Sequence, residues 1–163
     1  MNKINPASLL NGQKIAFIQA DWHNDIVGQG REGFFSGITH AGFPSHSIDI
    51  FDVAGSLEIP LQAKWIAETQ DYAIIVACGF VVNGGIYRHD FVAQTVIDGI
   101  MHVQLETNTP ILSMVLTPHH FHEHEQHHQF FFDHMVKKGK EAAQACVKTL
   151  ENKNHLMQNR KAA

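Results

Sequence analysis

Cysteine is nearly absent from this chain, which removes two kinds of scaffold at once. Cys78 falls inside an apolar run and Cys146 inside a helical pattern, so neither a disulfide framework nor a cysteine zinc site can be read, and both thiols are expected in the core. Long apolar runs are missing as well. No stretch approaches the roughly 20 apolar residues that a membrane helix requires, and the leading MNKINPASLLNGQK lacks the apolar centre of a signal peptide. The cytoplasm is the expected location. There is no basic excess either: 12 Lys and Arg stand against 16 Asp and Glu, a formal net charge of −4, which gives nucleic acid no global attraction. What remains is an ordinary globular balance, 44% hydrophobic and 17% charged, in 163 residues. A chain of that length forms one domain and hides about two-thirds of the surface its unfolded form exposes. The core is expected between about residues 14 and 150, with flexible ends.

Four β-rich runs stand out, at residues 14–20 (KIAFIQA), 47–53 (SIDIFDV), 73–82 (AIIVACGFVV) and 110–117 (PILSMVLT). Three are close to continuously apolar and suit strands covered on both faces, whereas 47–53 alternates with polar positions and reads as an edge strand. Helix-length segments follow each run, at 24–42, 59–69, 90–107 and 124–152. In the third, Phe91, Val92, Thr95, Val96, Gly99, Ile100 and Val103 share one face of a 3.6-residue period, and Asp90 is placed to cap its start. Strand and helix therefore alternate. That order predicts a parallel α/β sheet whose ligands gather beyond the carboxyl ends of the strands. The tail beyond Asn152 reads as solvated or frayed.

The segments after the strands are chemically unusual. Trp22 follows a buried strand directly between polar residues, where its ring can stack on a flat heterocycle or plug a subunit contact. Ser56, Leu57 and Glu58 precede a helix with Pro60 in its first turn. Ser56 either caps that helix or, with Glu58, binds a hydroxyl-rich ligand. In GFVVNGGIYRHD, residues 79–90, an apolar run gives way to Gly84-Gly85 and then to Tyr87, Arg88 and His89. Bare backbone N–H groups beside a guanidinium suit an anion, and the imidazole can move protons near neutral pH. A glycine pair equally serves as a simple turn, and a lone arginine as a solvated charge.

One biased tract is present: His119, His120, His122, His124, His127 and His128. The pairs His120/His124 and His124/His128 have i,i+4 spacing, which would place them on one helical face and admits metal storage. No three-histidine-plus-carboxylate pattern is complete, however, and Phe121, Phe130, Phe131 and Phe132 interleave as packing residues would. No metal is assigned.

Taken together, the post-strand segments resemble the lumazine synthases, over about residues 14–150. The resemblance rests on Trp22 after the first strand, VAGSLEIP at 53–60, GFVVNGG at 79–85, HDFV at 89–92, LET at 105–107 and PILSMVLT at 110–117. Trp22, GGIYRHDFV and LTPHHFHEHEQHH are similar to the divergent second type of the family. The resemblance implies a flavodoxin-like three-layer sandwich with a four-stranded parallel sheet. It also implies pentamers with active sites between adjacent subunits, here paired into decamers. The implied reaction condenses 5-amino-6-(D-ribitylamino)uracil with 3,4-dihydroxy-2-butanone 4-phosphate, with no cofactor. By position, Trp22 would stack on the pyrimidine, and Ser56, Leu57 and Glu58 would hold the ribityl chain. Phe80, Val81 and Val82 would line the pocket with backbone groups, and Gly85 and Ile86 would offer N–H donors to the phosphate. Ser113 would belong to a neighbouring subunit's pocket.

Two positions depart from the family pattern. Arg88 stands where the catalytic histidine is expected, with His89 one residue later, so catalysis rests with His89 and Arg88, the latter an anion clamp and a poor base. The phosphate-binding arginine of the last helix has no counterpart, and His127 or His128 is the substitute. Phosphate affinity should then be lower than usual and fall as pH rises through the imidazole range. An alternative function follows from Arg88: a weakly catalytic or non-catalytic protein that binds flavin or lumazine.

Overall fold

A computed structural model describes residues 5–118 and 125–161, the side chains of residues 125–127 and 160–161 excepted. Its frame is a four-stranded sheet formed by β1 (Lys14–Ala20), β2 (Ile48–Val53), β3 (Tyr72–Phe80) and β4 (Ile111–Leu116), all parallel, in the order β2-β1-β3-β4. Four helices flank it: α1 (Asn24–His40), α2 (Ile59–Thr69), α3 (His89–Thr107) and α4 (Glu125–Lys161). The chain first steps from β1 outward to β2, then returns past β1 to β3 and β4. A right-handed crossover rule applied to that reversal places α1 on one face and α2 with α3 on the other, and the two cores follow suit. Phe17, Val76, Cys78 and Met114 pack with Ile26, Phe34 and Ile38 of α1 and Met135, Cys146 and Leu150 of α4. On the opposite face, Ile18, Ile75, Ala77 and Val115 pack with Ile59, Ala63 and Ile66 of α2 and Val96, Ile100 and Val103 of α3. The result is the parallel sheet expected from the alternation, in the three-layer, flavodoxin-like sandwich that the resemblance implied, with the 47–53 run at an edge.

Several boundaries move for identifiable reasons. The second strand begins at Ile48 because Ser47 closes a 3-10 turn, its hydroxyl donating to the Pro44 carbonyl at 2.6 Å. Regular β3 pairing ends at Phe80. Val81 N–H still donates to the Leu116 carbonyl at 2.9 Å, but β4 stops there and the ladder has no further partner. α1 ends at His40, with Gly42 in the left-handed region just beyond. In α3 the buried face is Ala93, Val96, Ile100 and Val103, while Phe91 and Thr95 are exposed, so the apolar stripe is rotated from the one expected. The tail is not frayed: α4 runs unbroken to Lys161. Past Asn152 the Lys153 ammonium donates to the Ala73 carbonyl at 3.3 Å, and Asn154 accepts from Asn11 at 3.1 Å, which fastens this end to the base of the sheet.

α1 and α4 approach more closely than side chains normally allow. A Cβ added to Gly33 would lie 2.2 Å from the Val136 carbonyl oxygen, and one on Gly139 would lie 2.3 Å from that of Gly30. The two backbones touch. At the amino ends of the strands a polar knot ties three of them: Lys14 on β1 and Tyr72 on β3 both donate to Asp49 on β2, at 3.0 and 2.9 Å. Burial, then the bond to Asp49, pushes the Tyr72 phenol up to about 12. A raised value means that the folded state favours the neutral phenol. That stabilisation is complete below about pH 10, where the unfolded phenol ionises, and is lost as pH rises through 12. Tyr72 and Tyr87 are the two tyrosines, so ultraviolet titration of Tyr87→Phe should show one phenol with a midpoint near 12. A midpoint near 10 would contradict the knot.

Candidate functional site

The reversal in strand order opens a crevice between the carboxyl ends of β1 and β3, the usual ligand position in open parallel sheets. β1 and β2 end level, Ala20 beside Val53, and Asp21 N–H donates to the Val53 carbonyl at 2.9 Å. The chain then turns within three residues. His23 adopts a left-handed conformation, φ 56°, and its carbonyl accepts from the N–H groups of Ile26 and Val27 to start α1. So short a corner leaves no room for the indole inside, and Trp22 stands 68% exposed.

After β2, Gly55 is extended and residues Ser56–Glu58 form a 3-10 turn that runs directly into α2. A Cβ on Gly55 would meet the Glu58 carboxylate at 3.2 Å and the Trp22 indole at 3.8 Å. One on Gly79 of β3 would meet the Ser56 hydroxyl at 2.6 Å. The structure thus brings Trp22, Ser56 and Glu58 together, over the ends of three strands, with glycines where any larger residue would intrude. The residue in the capping position of α2 is Glu58, whose side chain makes no capping bond, and the Ser56 hydroxyl lies against β3 at Gly79. Leu57 is exposed beside them.

The loop between β3 and α3 shares this end of the sheet. Val81 is buried, Val82 half-buried, and from Asn83 to Arg88 the chain is exposed, Ile86 to 88%. Gly85 has φ 76°, a conformation that favours glycine. Nothing lies within 4 Å of the Cβ positions of Gly84 or Gly85, so their backbone faces open space. The Phe80 ring turns the other way, edge-on to His23 at 5.6 Å and against Phe131 at 5.3 Å, which leaves only its backbone at the strand end. α3 begins at His89, half-buried, with Arg88 as the residue before the first turn. The residue in the capping position is Arg88, and the Asp90 carboxylate accepts from its guanidinium at 2.9 and 3.3 Å; that contact, helped by the Asp90 and Phe91 N–H groups, holds the carboxyl below its ordinary range.

Other expected residues lie apart within the single chain. Ser113 is exposed in the middle of β4, opposite Ala77, with β3 between it and β1. His128 pairs with Asp25 in the first turn of α1. Partial burial pushes the Asp25 carboxyl up, but the bond from His128 and the Ile26 N–H outweigh it and hold the carboxyl below its usual value. The side chain of His127, and His119, His120, His122 and His124 altogether, fall outside the described residues. Among the described residues no group of three or more His, Cys, Asp or Glu could hold a metal ion.

Gln19, which composition and motif did not single out, lies beneath the Trp22 corner. It is 2% exposed, and its amide donates to Asn24 at 2.8 Å, tying β1 to the first residue of α1. An interior-pointing glutamine in an apolar strand was the available signal. Two concavities elsewhere, about 310 Å³ beside Asn24 and Arg31 and about 720 Å³ between His40 and Lys148, do not include Trp22, Ser56 or Glu58. The convergent residues form an open shelf. Nearby, Leu57, Leu61 and Trp65 repeat at i, i+4 and i+8 and are all more than half exposed.

These features define a flavodoxin-like α/β protein with a polar and aromatic shelf at the switch point of its sheet. The chain belongs to the 6,7-dimethyl-8-ribityllumazine synthase family, whose model matches residues 12–154. It is 55% identical over 145 residues to the 6,7-dimethyl-8-ribityllumazine synthase of Rhodococcus erythropolis, which covers 89% of this chain and 94% of that one. It is also similar to proteins named 6,7-dimethyl-8-ribityllumazine synthase 2. The one from Pseudomonas syringae pv. tomato is 56% identical over 85% of this chain and 81% of its own. That from Bradyrhizobium diazoefficiens is 51% identical over 85% and 82%. Such enzymes are transferases of riboflavin biosynthesis that act on small molecules and are generally oligomeric. Among the described residues no helix is long and apolar enough to cross a membrane.

Proposed function

We propose that this protein condenses 5-amino-6-(D-ribitylamino)uracil with 3,4-dihydroxy-2-butanone 4-phosphate to 6,7-dimethyl-8-ribityllumazine, releasing one phosphate and two waters. The observation that carries the reading is the packing of Trp22, Glu58 and Ser56 around Gly55 and Gly79, supported by the family membership. The indole is free to stack on the pyrimidine, and the serine hydroxyl and glutamate carboxylate match a polyol chain. Strand-end backbone at Phe80, Val81 and Val82 lines the pocket, while the Gly85 and Ile86 N–H groups meet the phosphate. The amine then attacks the ketone as a neighbour, so that proximity supplies most of the rate and acid–base help the rest. The cytoplasm remains the location read from the sequence.

The shelf is open on one side, and the exposed Leu57, Leu61 and Trp65 stripe beside it is the kind of apolar surface a second protomer covers. A neighbour bringing Ser113 and a histidine of the 127–128 pair closes the site, in pentamers that pair into decamers. Mass measurement in solution tests the assembly.

Steady-state assay of the purified chain with both substrates tests the reaction. Turnover supports the enzyme. Tight riboflavin binding without turnover supports instead the flavin-binding reading that Arg88 at the histidine position favours. Trp22→Ala should raise the KM for the uracil substrate about tenfold, the stacking contribution of one aromatic ring, with a smaller change in KM for the butanone phosphate. An unchanged uracil KM would remove the stacking role.

A further inference from the structure

Arg88 carries an anion of its own. Its Nη2 lies 2.9 Å from one Asp90 oxygen and its Nε 3.3 Å from the other, a side-on fork that a carboxylate and a phosphate engage equally well. Phe91, next in the chain, presents its ring face 4.1 Å from the guanidinium carbon and holds the plane of the fork. Arg88, Asp90 and Phe91 are all exposed, and all stand at the start of α3, directly after the open Gly84-Gly85 turn. The arginine is therefore preset in orientation but not vacant.

We propose that Asp90 is an internal counter-anion that sets how tightly this site holds a phosphoryl group, yielding Arg88 when phosphate docks and reclaiming it when phosphate leaves. This deepens the reading of the β3–α3 loop as the phosphate cradle and rests on it. A dianion and the Asp90 carboxylate cannot both approach the same edge of the fork without strong repulsion. An exposed pair is cheap to displace, costing at most roughly fivefold in affinity. That small cost is useful in a reaction that frees inorganic phosphate: the carboxylate competes with the product and hastens its departure.

The test is calorimetric titration of the full chain with inorganic phosphate, together with its inhibition of turnover. Asp90→Asn should tighten phosphate binding three- to fivefold, and Asp90→Ser, which keeps a residue favoured at helix starts, should do the same. Each should leave the KM for the uracil substrate unchanged. The gain should vanish in Arg88→Ala/Asp90→Asn. Equal phosphate affinity in the single variants and the unaltered chain, or a gain that survives loss of Arg88, would overturn the proposal. Titration does not depend on turnover, so a chain that binds phosphate as described yet forms no lumazine counts against the reaction and not against Asp90.

Discussion

Gly33→Ala is expected to lower the stability of the fold by about 3 kcal/mol, in the severe tail for a single added methyl. Alanine ordinarily stabilises a helix interior by about 1 kcal/mol relative to glycine, so the sign here is set wholly by the contact. The new Cβ would lie 2.2 Å from the Val136 carbonyl oxygen and 3.0 Å from its Cα, both backbone atoms of α4 that no rotamer change can move. The helices must separate, and the packing of Phe34 and Met135 between them and the sheet would loosen with them. Gly139→Ala meets the same obstacle from the other side, 2.3 Å from the Gly30 oxygen and 2.5 Å from the Phe34 nitrogen. Gly28→Ala is the control. It lies on the same helix with nothing nearer than 3.9 Å, and should hold or raise stability. At about 2–4 °C per kcal/mol for a chain of this size, thermal melts separate the two outcomes clearly. A Gly33→Ala melting temperature level with Gly28→Ala would show that the two backbones are not in contact.

That contact also marks where the sequence stops being readable. Strand positions were legible because a buried parallel strand must be apolar on both faces, and the runs containing Phe17, Val76 and Met114 could hardly be anything else. Helix order followed from alternation. By contrast, Gly30, Gly33 and Gly37 on α1 look in sequence like helix-weakening residues. Their partners come from distant segments: a Cβ on Gly30 would meet Cys78 and Met114 of the sheet, while Gly33 and Gly37 lie against Val136 and Ala143 of α4, about a hundred residues later. α4 beyond Asn152 was legible only in part: residues 155–159 are exposed, as their polar composition suggests, but the Lys153 and Asn154 bonds that fasten the helix come from distant Ala73 and Asn11. At the site, Trp22, Ser56 and Glu58 were legible as residues that a buried strand end does not need. Their arrangement was not, since it depends on Gly55 and Gly79 admitting side chains from other segments. Ser113 and His128 illustrate the remaining gap, for neither joins the cluster within one protomer.

His89→Ala should lower kcat by about tenfold to a hundredfold, the modest end of acid–base catalysis, because proximity carries most of this condensation. The reasoning begins with Arg88, which stands at the position where the family resemblance places a histidine. A guanidinium cannot serve as a base near neutral pH, and the hydrogen bond to Asp90 pushes its ionisation higher still. The proposed reaction therefore assigns proton transfer to His89. A one-residue offset matters here, because Arg88 is still extended and His89 is the first residue of α3, half-buried at the same end of the sheet. Arg88→Ala should divide the other way, with most of its effect in the KM for the butanone phosphate. Equal kcat in His89→Ala would remove the imidazole from the mechanism and leave a site that works by orientation alone.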